Sequence, residues 1–326
     1  MRRVLSYVLI GLGVFAVALG LLLRFYAYPQ LAKAPLDIDK VSVAQGSGIT
    51  SVVVAEVDDV PTPEIREDLN VTSTTHVTGD LTQPEIEEGG DVAAWVEAIK
   101  TTDDASGILI DASLRELCLD RHTAEAVAPC EGQYISVEQG ERITTDPDTV
   151  QQPGLSFKFP FGTEQRSYQT YDLSLRRAVE ARFDGEDTVQ GLDVYRFVSE
   201  TKSARIGQQE VPGSLIGIDE PSVNADIYYT DRRTVWVEPN TGVIIAGEDA
   251  RKQELVAPGE NPGEGTTVFD GTLRLNDKTV TGNVQEAQDN IGKLSLLTFW
   301  PIVLLIVGAV LALAGIVVLR LSTRQR

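Results

Sequence analysis

The 326-residue sequence predicts a mainly β domain placed between two transmembrane α-helices. Three observations lead to this fold class: a long uncharged stretch at each end of the chain, many short apolar segments between them, and a hairpin-like segment that occurs twice. The short segments are separated by glycine, asparagine and aspartate, which favours a large antiparallel sheet. We expect this sheet to form a sandwich or a partly closed barrel, with the option of two related halves.

The N-terminal stretch, Val4–Leu23, contains no charged residue and follows Arg2 and Arg3. A helix rises about 1.5 Å per residue, so this stretch can cross about 30 Å of hydrocarbon. We therefore predict a transmembrane anchor at residues 1–24. A cleaved signal peptide with an Ala-x-Ala site ending at Ala34 is the alternative, but the apolar run is longer than a usual signal core.

The C-terminal stretch predicts a second transmembrane helix at residues 294–320, followed by a tail at residues 321–326. Basic residues lie outside the far end of each apolar stretch, which places both termini in the cytoplasm by the positive-inside bias. Residues 25–278 are then an extracytoplasmic β-rich domain. The expected location is the plasma membrane, crossed twice.

The segment at residues 279–293 has the pattern of an amphipathic juxtamembrane helix. Its apolar residues recur at spacings of four, three and four, which puts them on one helical face. This face either packs within the protein or binds a partner. The residues are Val280, Val284, Ala287 and Ile291.

The charge distribution argues against two kinds of partner. All 48 acidic residues lie in residues 25–293, with 22 of the 28 basic residues, so this part has a formal charge of −26. Such an excess argues against nucleic acid and against docking on anionic lipid headgroups. It fits a self-repelling soluble surface, or binding of cations or a basic partner.

Cys118 and Cys130 are the two cysteines of the chain. In an oxidising compartment they are expected to form a disulfide. Closing so short a loop contributes about 3 kcal/mol in the chain-entropy model. We interpret the pair as a structural link and not as a redox centre.

Motifs of catalysis are missing from the sequence. The two histidines, His76 and His122, have no metal-ligand spacing, and nucleotide-binding and nucleophile-elbow fingerprints do not occur. We therefore predict no catalytic, metal or cofactor-binding residue and no enzymatic activity. A carboxylate pair acting as acid and base stays open as an alternative.

The stretch Leu155–Asp172 is rich in aromatic residues. Three of them alternate, which would place them on one face of an extended strand. That face either belongs to the core or lines an apolar cavity that shelters acyl chains. The candidate face consists of Phe157, Phe159, Phe161, Tyr168 and Tyr171.

Other segments give further predictions of the fold. Asp91–Lys100 fits a helix or an edge strand, and Ala178–Val198 fits two strands around a turn at Asp184-Gly185-Glu186. Acidic stretches with proline and glycine, at residues 58–70, 82–91 and 256–266, are predicted to be exposed loops.

An ordered set of motifs resembles one known family. FKFPFGTEQRSYQTYD at residues 157–172, the V-x-G-L-x-V-Y-R-F run at Val189–Phe197 and VWVEPNTGVI before a C-terminal span are similar to actinobacterial porin PorA-like proteins. That family includes the polar growth factor proteins of mycobacteria and corynebacteria. The resemblance implies a role in the cell envelope, in trafficking trehalose monomycolate or a related glycolipid beside the mycolate exporter.

Our functional prediction is a two-span protein whose outer domain binds or traffics an envelope lipid or glycolipid. The alternative is a scaffold that organises envelope or growth machinery without a ligand. Pore formation is disfavoured, because neither apolar stretch contains an ionisable residue and the strands are too acidic to face lipid. An envelope hydrolase is likewise disfavoured.

The repeated segment occurs at Leu117–Val127 and at Val235–Ile245. Aligned without a gap, Asp120 matches Glu238 and Ala124 matches Gly242, which can adopt a positive φ. We interpret the repeat as scaffold, and predict two hairpins in equivalent positions of related sheet halves.

Overall fold

The computed structural model describes residues 2–57, 60–86, 90–130, 132–139, 142–147 and 151–324. The chain divides into two compact units. One contains the segments Met1–Lys33 and Glu286–Arg326, and the other contains Ala34–Gln285.

The first unit is helical. Helix α1 spans Arg2–Leu22 and continues through a π-helical turn, Leu23–Ala27, into the short helix α2, Tyr28–Leu31. Helix α3 spans Asp277–Arg324 without interruption, so the predicted juxtamembrane helix and second span are one helix that contributes to both units.

Two helical segments, Val4–Leu31 and Asp277–Leu321, are long and apolar enough to cross a membrane. Their large side chains are exposed, as Phe15 at 65 % and Ile306 at 61 % illustrate, whereas the core helix of a soluble protein would bury them. Both candidate spans predicted from the sequence are therefore present.

Glycines let α1 and α3 approach closely within the first unit. A β-carbon at Gly13 would lie 2.6 Å from the backbone nitrogen of Ala312, and one at Gly315 would lie 2.9 Å from the backbone oxygen of Ser6. Small residues at such crossings let helix backbones pack in an apolar solvent. The contacts run in opposite chain directions, so the pair is antiparallel.

The second unit contains one antiparallel sheet of twelve strands. The strands are β1 Asp39–Val57, β2 Val60–Gly79, β3 Val92–Asp103, β4 Leu109–Asp120, β5 Tyr134–Gln139, β6 Arg142–Pro147, β7 Tyr168–Asp172, β8 Arg177–Val189, β9 Leu192–Val211, β10 Val223–Val237, β11 Ile244–Val256 and β12 Thr266–Leu275. A 3₁₀ turn at Gly213–Ile216 joins β9 to β10.

The strand order is β6-β5-β4-β3-β2-β1-β12-β11-β10-β9-β8-β7, so the sheet consists of two six-stranded meanders joined where β1 pairs with β12. We call β1–β6 the first half and β7–β12 the second half. Asp111 on β4 acts electrostatically on Arg251 on β11, five strands away in the sheet. The sheet is thus strongly curled and open, which confirms the mainly β fold class in its partly closed form.

The inner face of the sheet is layered. Along β10, Ala225, Asp231 and Val237 lie six residues apart on one face, since alternate strand residues share a face. Ala225 and Val237 belong to separate apolar clusters, while Asp231 is only 4 % exposed between them. A buried polar layer therefore separates two apolar layers.

Two segment predictions were wrong in detail. Asp91–Lys100 lies mostly in β3, which pairs with β2 and β4 and is neither a helix nor an edge strand. β8 continues through Gly185, where the register shifts, and the turn comes later at Gln190 and Gly191, with φ of 48° and 82°. Two consecutive positive φ values suit a two-residue hairpin loop.

The predicted loop at residues 58–70 also needs correction, because β2 begins at Val60; Asp58 and Asp59 lie outside the described residues. Pro61 and Pro63 pair with β1, while the pairing of β2 with β3 begins only at Val71. The prolines are tolerated because, among the described strands, only β1 pairs with this part of β2. Residues 257–265 form turns, as predicted.

Candidate functional site

The repeated segment forms two turns with the same hydrogen bonds. The Asp120 carboxylate accepts from the backbone N–H groups two and three residues further on, at 2.9 and 2.7 Å, and from Oγ1 of Thr123 at 3.0 Å. The Glu238 carboxylate does the same at 2.9 and 2.8 Å, and accepts from Oγ1 of Thr241 at 2.6 Å. We call these the first turn and the second turn.

Their backbones also match. Ala124 and Gly242 have φ of 60° and 72° and donate their N–H groups to the backbone oxygens of Asp120 and Glu238, at 2.8 and 2.9 Å. The first turn follows β4 and the second follows β10, the fourth strand of each half. The predicted equivalence of the two hairpins is confirmed.

The aromatic segment connects the two turns. The N–H of Phe161 donates to the backbone oxygen of His122 at 3.4 Å, and the N–H of Phe159 donates to that of Gly242 at 2.8 Å. Residues 156–163 are not a strand, so the prediction of one strand face was wrong. Pro160 and the positive φ of Gly162 break the extended pattern. We call residues 155–163 the bridging segment.

The predicted aromatic residues therefore lie in different places. Phe159 stacks on Phe197 with ring centres 4.7 Å apart and meets Tyr168 edge-on at 5.3 Å. Phe157 packs against Trp95 of the first half at 5.4 Å. The ring of Phe161 lies 3.6 Å from Nζ of Lys158. Tyr171 is 3 % exposed.

In the first half, the polar layer is organised by a buried arginine. Nε of Arg115 donates to the Glu97 carboxylate at 2.5 Å, and Nη1 lies 3.4 Å from both Oε1 of Gln152 and Oγ of Ser156. The guanidinium also lies 5.2 Å from the centre of the Phe157 ring. This ion pair is enclosed by hydrogen bonds and by an aromatic face, as a buried charge requires.

In the second half, Arg233 has the corresponding place. Its Nη2 donates to Oδ2 of Asp249 at 3.1 Å, and Nε of Arg251 lies 3.6 Å from the same oxygen. Tyr229 donates to Oδ2 of Asp172 at 3.3 Å. Asp231 lies buried beside this group.

These contacts separate the pKa values of two neighbouring carboxyl groups. Burial, followed by the nearby Asp249, raises the pKa of Asp231 to about 9. Burial also raises the pKa of Asp249, but Arg233 and Arg251 outweigh it and lower that pKa below its usual range. The pair thus carries one negative charge at neutral pH, the charge that buried cations can neutralise.

Sequence reasoning missed this layer, although the repeat contained the signal. Arg115 and Arg233 are 118 positions apart, the same offset as Asp120 and Glu238. Extending the gapless alignment only two positions towards the N-terminus, beyond Leu117 and Val235, aligns the two arginines. The aligned arginines of β4 and β10 indicate a shared role in the two halves of the sheet.

A small cavity lies between the bridging segment and the second half. Its volume is about 50 Å³, and Phe159 and Phe197 form part of its wall. Ligand pockets usually occupy about 300–1,000 Å³, so this cavity is too small for an acyl chain. Its polar lining residues are Ser156, Lys158, Thr170, Tyr171, Ser199 and Arg233. We call it the Tyr171 cavity.

A larger groove of about 620 Å³ lies where β1 changes register between Gln45 and Thr50. Glycines form part of its wall, and a β-carbon at Gly46 would lie 2.5 Å from the backbone oxygen of Thr272. We call it the β1 groove. Its side chains are polar or charged: Gln45, Ser47, Asn70, Asp104, Thr272 and Arg274.

The remaining predicted residues have structural contacts. Cys118 and Cys130 form the disulfide, with Cα atoms 5.6 Å apart. His76 pairs with Asp39 at 2.7 Å. Among the described residues, no group of three or more histidine, cysteine, aspartate or glutamate side chains is arranged to hold a metal ion.

The apolar residues of the amphipathic segment are largely buried: Val280, Val284 and Ala287 have little exposed surface, and Ile291 is half-buried. Asn283 on the same helix donates to the backbone oxygens of Ile244 and Ile245 at 3.1 and 3.2 Å. The face around Val280 and Val284 is therefore used for packing within the β unit.

Comparison with known proteins gives the family. A protein named Porin PorA from Corynebacterium amycolatum is 29 % identical, with 76 % of this chain and 77 % of that protein covered. A second Porin PorA, from Corynebacterium resistens, is 23 % identical with 76 % coverage of each. A crystal structure of a DUF1329 family protein from Desulfovibrio piger matches 79 % of this chain and 89 % of that one, at 12 % identity and a TM-score of 0.22. The Porin PorA family model matches residues 5–317, and the chain belongs to that family.

Proposed function

We propose that this protein is a two-pass membrane protein of the cell envelope whose β domain lies outside the cytoplasm and binds the sugar headgroup of an envelope glycolipid. The observation that carries the proposal is the β1 groove, whose volume of about 620 Å³ falls within the range of ligand pockets. The glycolipid suggested by the family resemblance is of the mycolate type, such as trehalose monomycolate.

The lining of the β1 groove suits sugar hydroxyl groups. Each hydroxyl group donates one hydrogen bond and accepts others; amide and hydroxyl groups can do both, a carboxylate accepts and a guanidinium donates, so together they offer both roles. Asn70 and Asp104 are exposed at the rim, and the backbone N–H of Asp104 donates to the backbone oxygen of Asn70 at 2.8 Å. That bond fixes the spacing of their side chains.

In this proposal the β domain does not enclose the acyl chains of the glycolipid. The aromatic residues that the sequence suggested as their shelter lie in different places, Phe159 against Phe197 and Phe157 against Trp95, and the Tyr171 cavity measures only about 50 Å³. The chains therefore stay in the lipid layer while the domain holds the headgroup. Trafficking would consist of presenting that headgroup to envelope proteins such as the mycolate exporter.

The test uses the full chain, purified in detergent from a mycolate-producing host, with bound lipid identified by mass spectrometry. Trehalose monomycolate is expected to copurify, and free trehalose to compete with it. The Asn70→Ala/Asp104→Ala variant should reduce bound glycolipid about tenfold, the effect of losing about 1.4 kcal/mol of hydrogen bonding. The matched control, Asp219→Ala/Asn224→Ala, alters exposed residues outside the groove. Equal lipid content in both variants would refute the groove as the site.

Pore formation is the second candidate, favoured by the name of the relatives. In the described part of the chain the sheet leaves β6 and β7 as edges, so a pore would have to be built by helices from several copies. Planar bilayers containing the full chain provide the test. Stepwise conductance that disappears in Gly13→Leu, which blocks the approach of α1 to α3, would establish a pore.

A further inference from the structure

The Tyr171 cavity has an unusual combination of wall residues. Two cations, Lys158 and Arg233, line it together with the hydroxyl-bearing Ser156, Thr170, Tyr171 and Ser199, and no carboxylate is among its lining residues. The rest of the wall is apolar and includes Phe159 and Phe197. Cationic and hydroxyl-bearing residues thus line the cavity together with apolar residues.

The hydroxyl group of Tyr171 is buried and has no hydrogen-bond partner among the described residues. Leaving a buried hydroxyl group unpaired costs about 1–3 kcal/mol, so native structures normally pair such groups. The nearby guanidinium of Arg115, 5.9 Å from the ring centre, is a cation and cannot accept the hydroxyl proton. A group that pairs with Tyr171 must therefore be an acceptor, and the cavity that Tyr171 lines offers space for one.

The charges around the cavity favour an anion over a water molecule as that acceptor. Arg233 shares Asp249 with Arg251, and Asp172 is a further carboxyl group that acts electrostatically on Arg233. Asp231, the next carboxyl group in the layer, holds its proton because burial and Asp249 raise its pKa to about 9. The wall of the cavity itself contains two cationic residues, Lys158 and Arg233, and no carboxylate, which favours an anion. The acidic outer surface opposes an anion only weakly, because salt at 0.15 M screens charges beyond about 8 Å.

The size of the cavity limits the anion. One water molecule occupies about 30 Å³ of the liquid, so about 50 Å³ accommodates a halide ion or a carboxylate group, with little space left. We propose that the Tyr171 cavity binds one small monovalent anion, a halide ion or a carboxylate group, held by Tyr171, Lys158 and Arg233. The anion ties the bridging segment to strands β7, β9 and β10 of the second half.

The first experiment locates the anion directly. Crystals of the full chain in detergent are soaked in sodium bromide, and a bromide anomalous peak is expected in the Tyr171 cavity. A second soak in sodium formate should place a carboxylate there. A cavity that contains only water in both soaks would overturn the proposal.

The second experiment measures affinity in solution. Thermal unfolding of the full chain is followed against chloride concentration at constant ionic strength, balanced with gluconate, which is too large for a cavity of about 50 Å³. A saturable rise in Tm is expected. Tyr171→Phe should weaken chloride binding about tenfold and Lys158→Met about 100-fold, because hydrogen bonds to a charged group contribute about 1.5–3 kcal/mol. Tyr171→Phe removes only the hydroxyl group that lacks a partner, so folding is expected to be kept.

Two matched controls keep the result interpretable. Tyr195→Phe alters a half-buried tyrosine of the neighbouring aromatic cluster, and Lys202→Met alters an exposed lysine on β9; neither residue lines the cavity. Both should retain the chloride affinity of the unmodified protein. If all four variants respond to chloride like the unmodified protein, the stabilisation is a general salt effect and the proposal fails.

Discussion

The first and second turns have the same hydrogen bonds but are stabilised from outside in different ways. The first turn lies beside the Cys118–Cys130 disulfide, while the second contacts the bridging segment through Gly242. The carboxylate of the second turn, Glu238, is 1 % exposed, whereas Asp120 is half-buried. The two copies of the repeated turn thus have the same hydrogen bonds, while different contacts stabilise each copy.

The difference follows from one close approach of two backbones. A β-carbon at Gly242 would overlap the backbone oxygen of Phe159, so the bridging segment can reach the second turn only over a glycine. Ala124, at the corresponding place, already has a β-carbon, and the bridging segment bonds instead to His122 at 3.4 Å. Gly242 therefore allows the backbone of the bridging segment to approach the second turn closely.

The largest expected effect comes from Gly242→Ala. The substitution introduces a β-carbon at φ 72° and against the Phe159 oxygen, which should lower the free energy of unfolding by about 3–4 kcal/mol. Urea unfolding of the full chain in detergent, followed by tryptophan fluorescence, measures it. The matched control is Ala124→Gly, expected to change stability by less than about 1 kcal/mol. Equal effects would show that the two turns are not supported differently.

Removing the disulfide should weaken the first turn selectively. Cys118→Ala/Cys130→Ala frees a loop with a sequence separation of 12 and should cost about 3 kcal/mol in the same assay. Hydrogen exchange should accelerate at the amides of His122 and Thr123 and stay unchanged at those of Asn240 and Thr241. Uniform acceleration at both turns would contradict a local role for the disulfide.

The next largest effect is expected from removing the carboxylates of the two turns, Glu238 and Asp120. Glu238 also accepts from Nδ2 of Asn240 at 2.6 Å and is fully enclosed, so Glu238→Ala leaves several buried donors unpaired. We expect a loss of about 2 kcal/mol, against about 1 kcal/mol for Asp120→Ala, where water can replace the carboxylate. Urea unfolding of both variants decides this, and a larger loss at Asp120 would reverse the assignment.

The sequence predicted those parts of the fold that depend on local chemistry. The two apolar helices, the turns at Asp120 and Glu238 and the disulfide follow from hydrophobicity, turn residues and cysteine spacing. β3 was ambiguous because its alanines and glutamate also suit a helix, and only pairing on both sides decides in favour of a strand.

The candidate sites were harder to predict, because they depend on segments far apart in the chain. The alternation of Phe157, Phe159 and Phe161 suggested a strand, yet their backbone bonds to turns and not to a neighbouring strand. The β1 groove combines residues of β1, β2 and β12 with Asp104, which follows β3. No local sequence pattern predicts that Asn70 and Thr272 line the same groove.

The smallest expected effect concerns Asp231, a carboxyl group at a place where the first half has none. Asp231 corresponds to Ser113, 118 positions earlier, so only the second half has a buried carboxyl group at this place. With its pKa raised to about 9, folded Asp231 retains a proton that the unfolded chain releases near pH 4. Stability from this group is complete below about pH 4 and falls as the pH rises towards 9.

Asp231→Asn should remove that dependence, since asparagine keeps the shape of the neutral acid. Between pH 6.5 and 7.5 the unmodified protein should lose about 1 kcal/mol more than the variant, close to the 1.4 kcal/mol per pH unit of one proton. Asp249 does not interfere, because its lowered pKa confines its effect to pH values below about 4. Histidines cancel in the comparison, as both proteins contain them. The surrounding charged and titratable groups are Asp172, Tyr229, Arg233, Asp249 and Arg251. Parallel stability curves would mean that Asp231 is ionised in the folded protein, and that the second half has a buried charge at the place where the first half has Ser113.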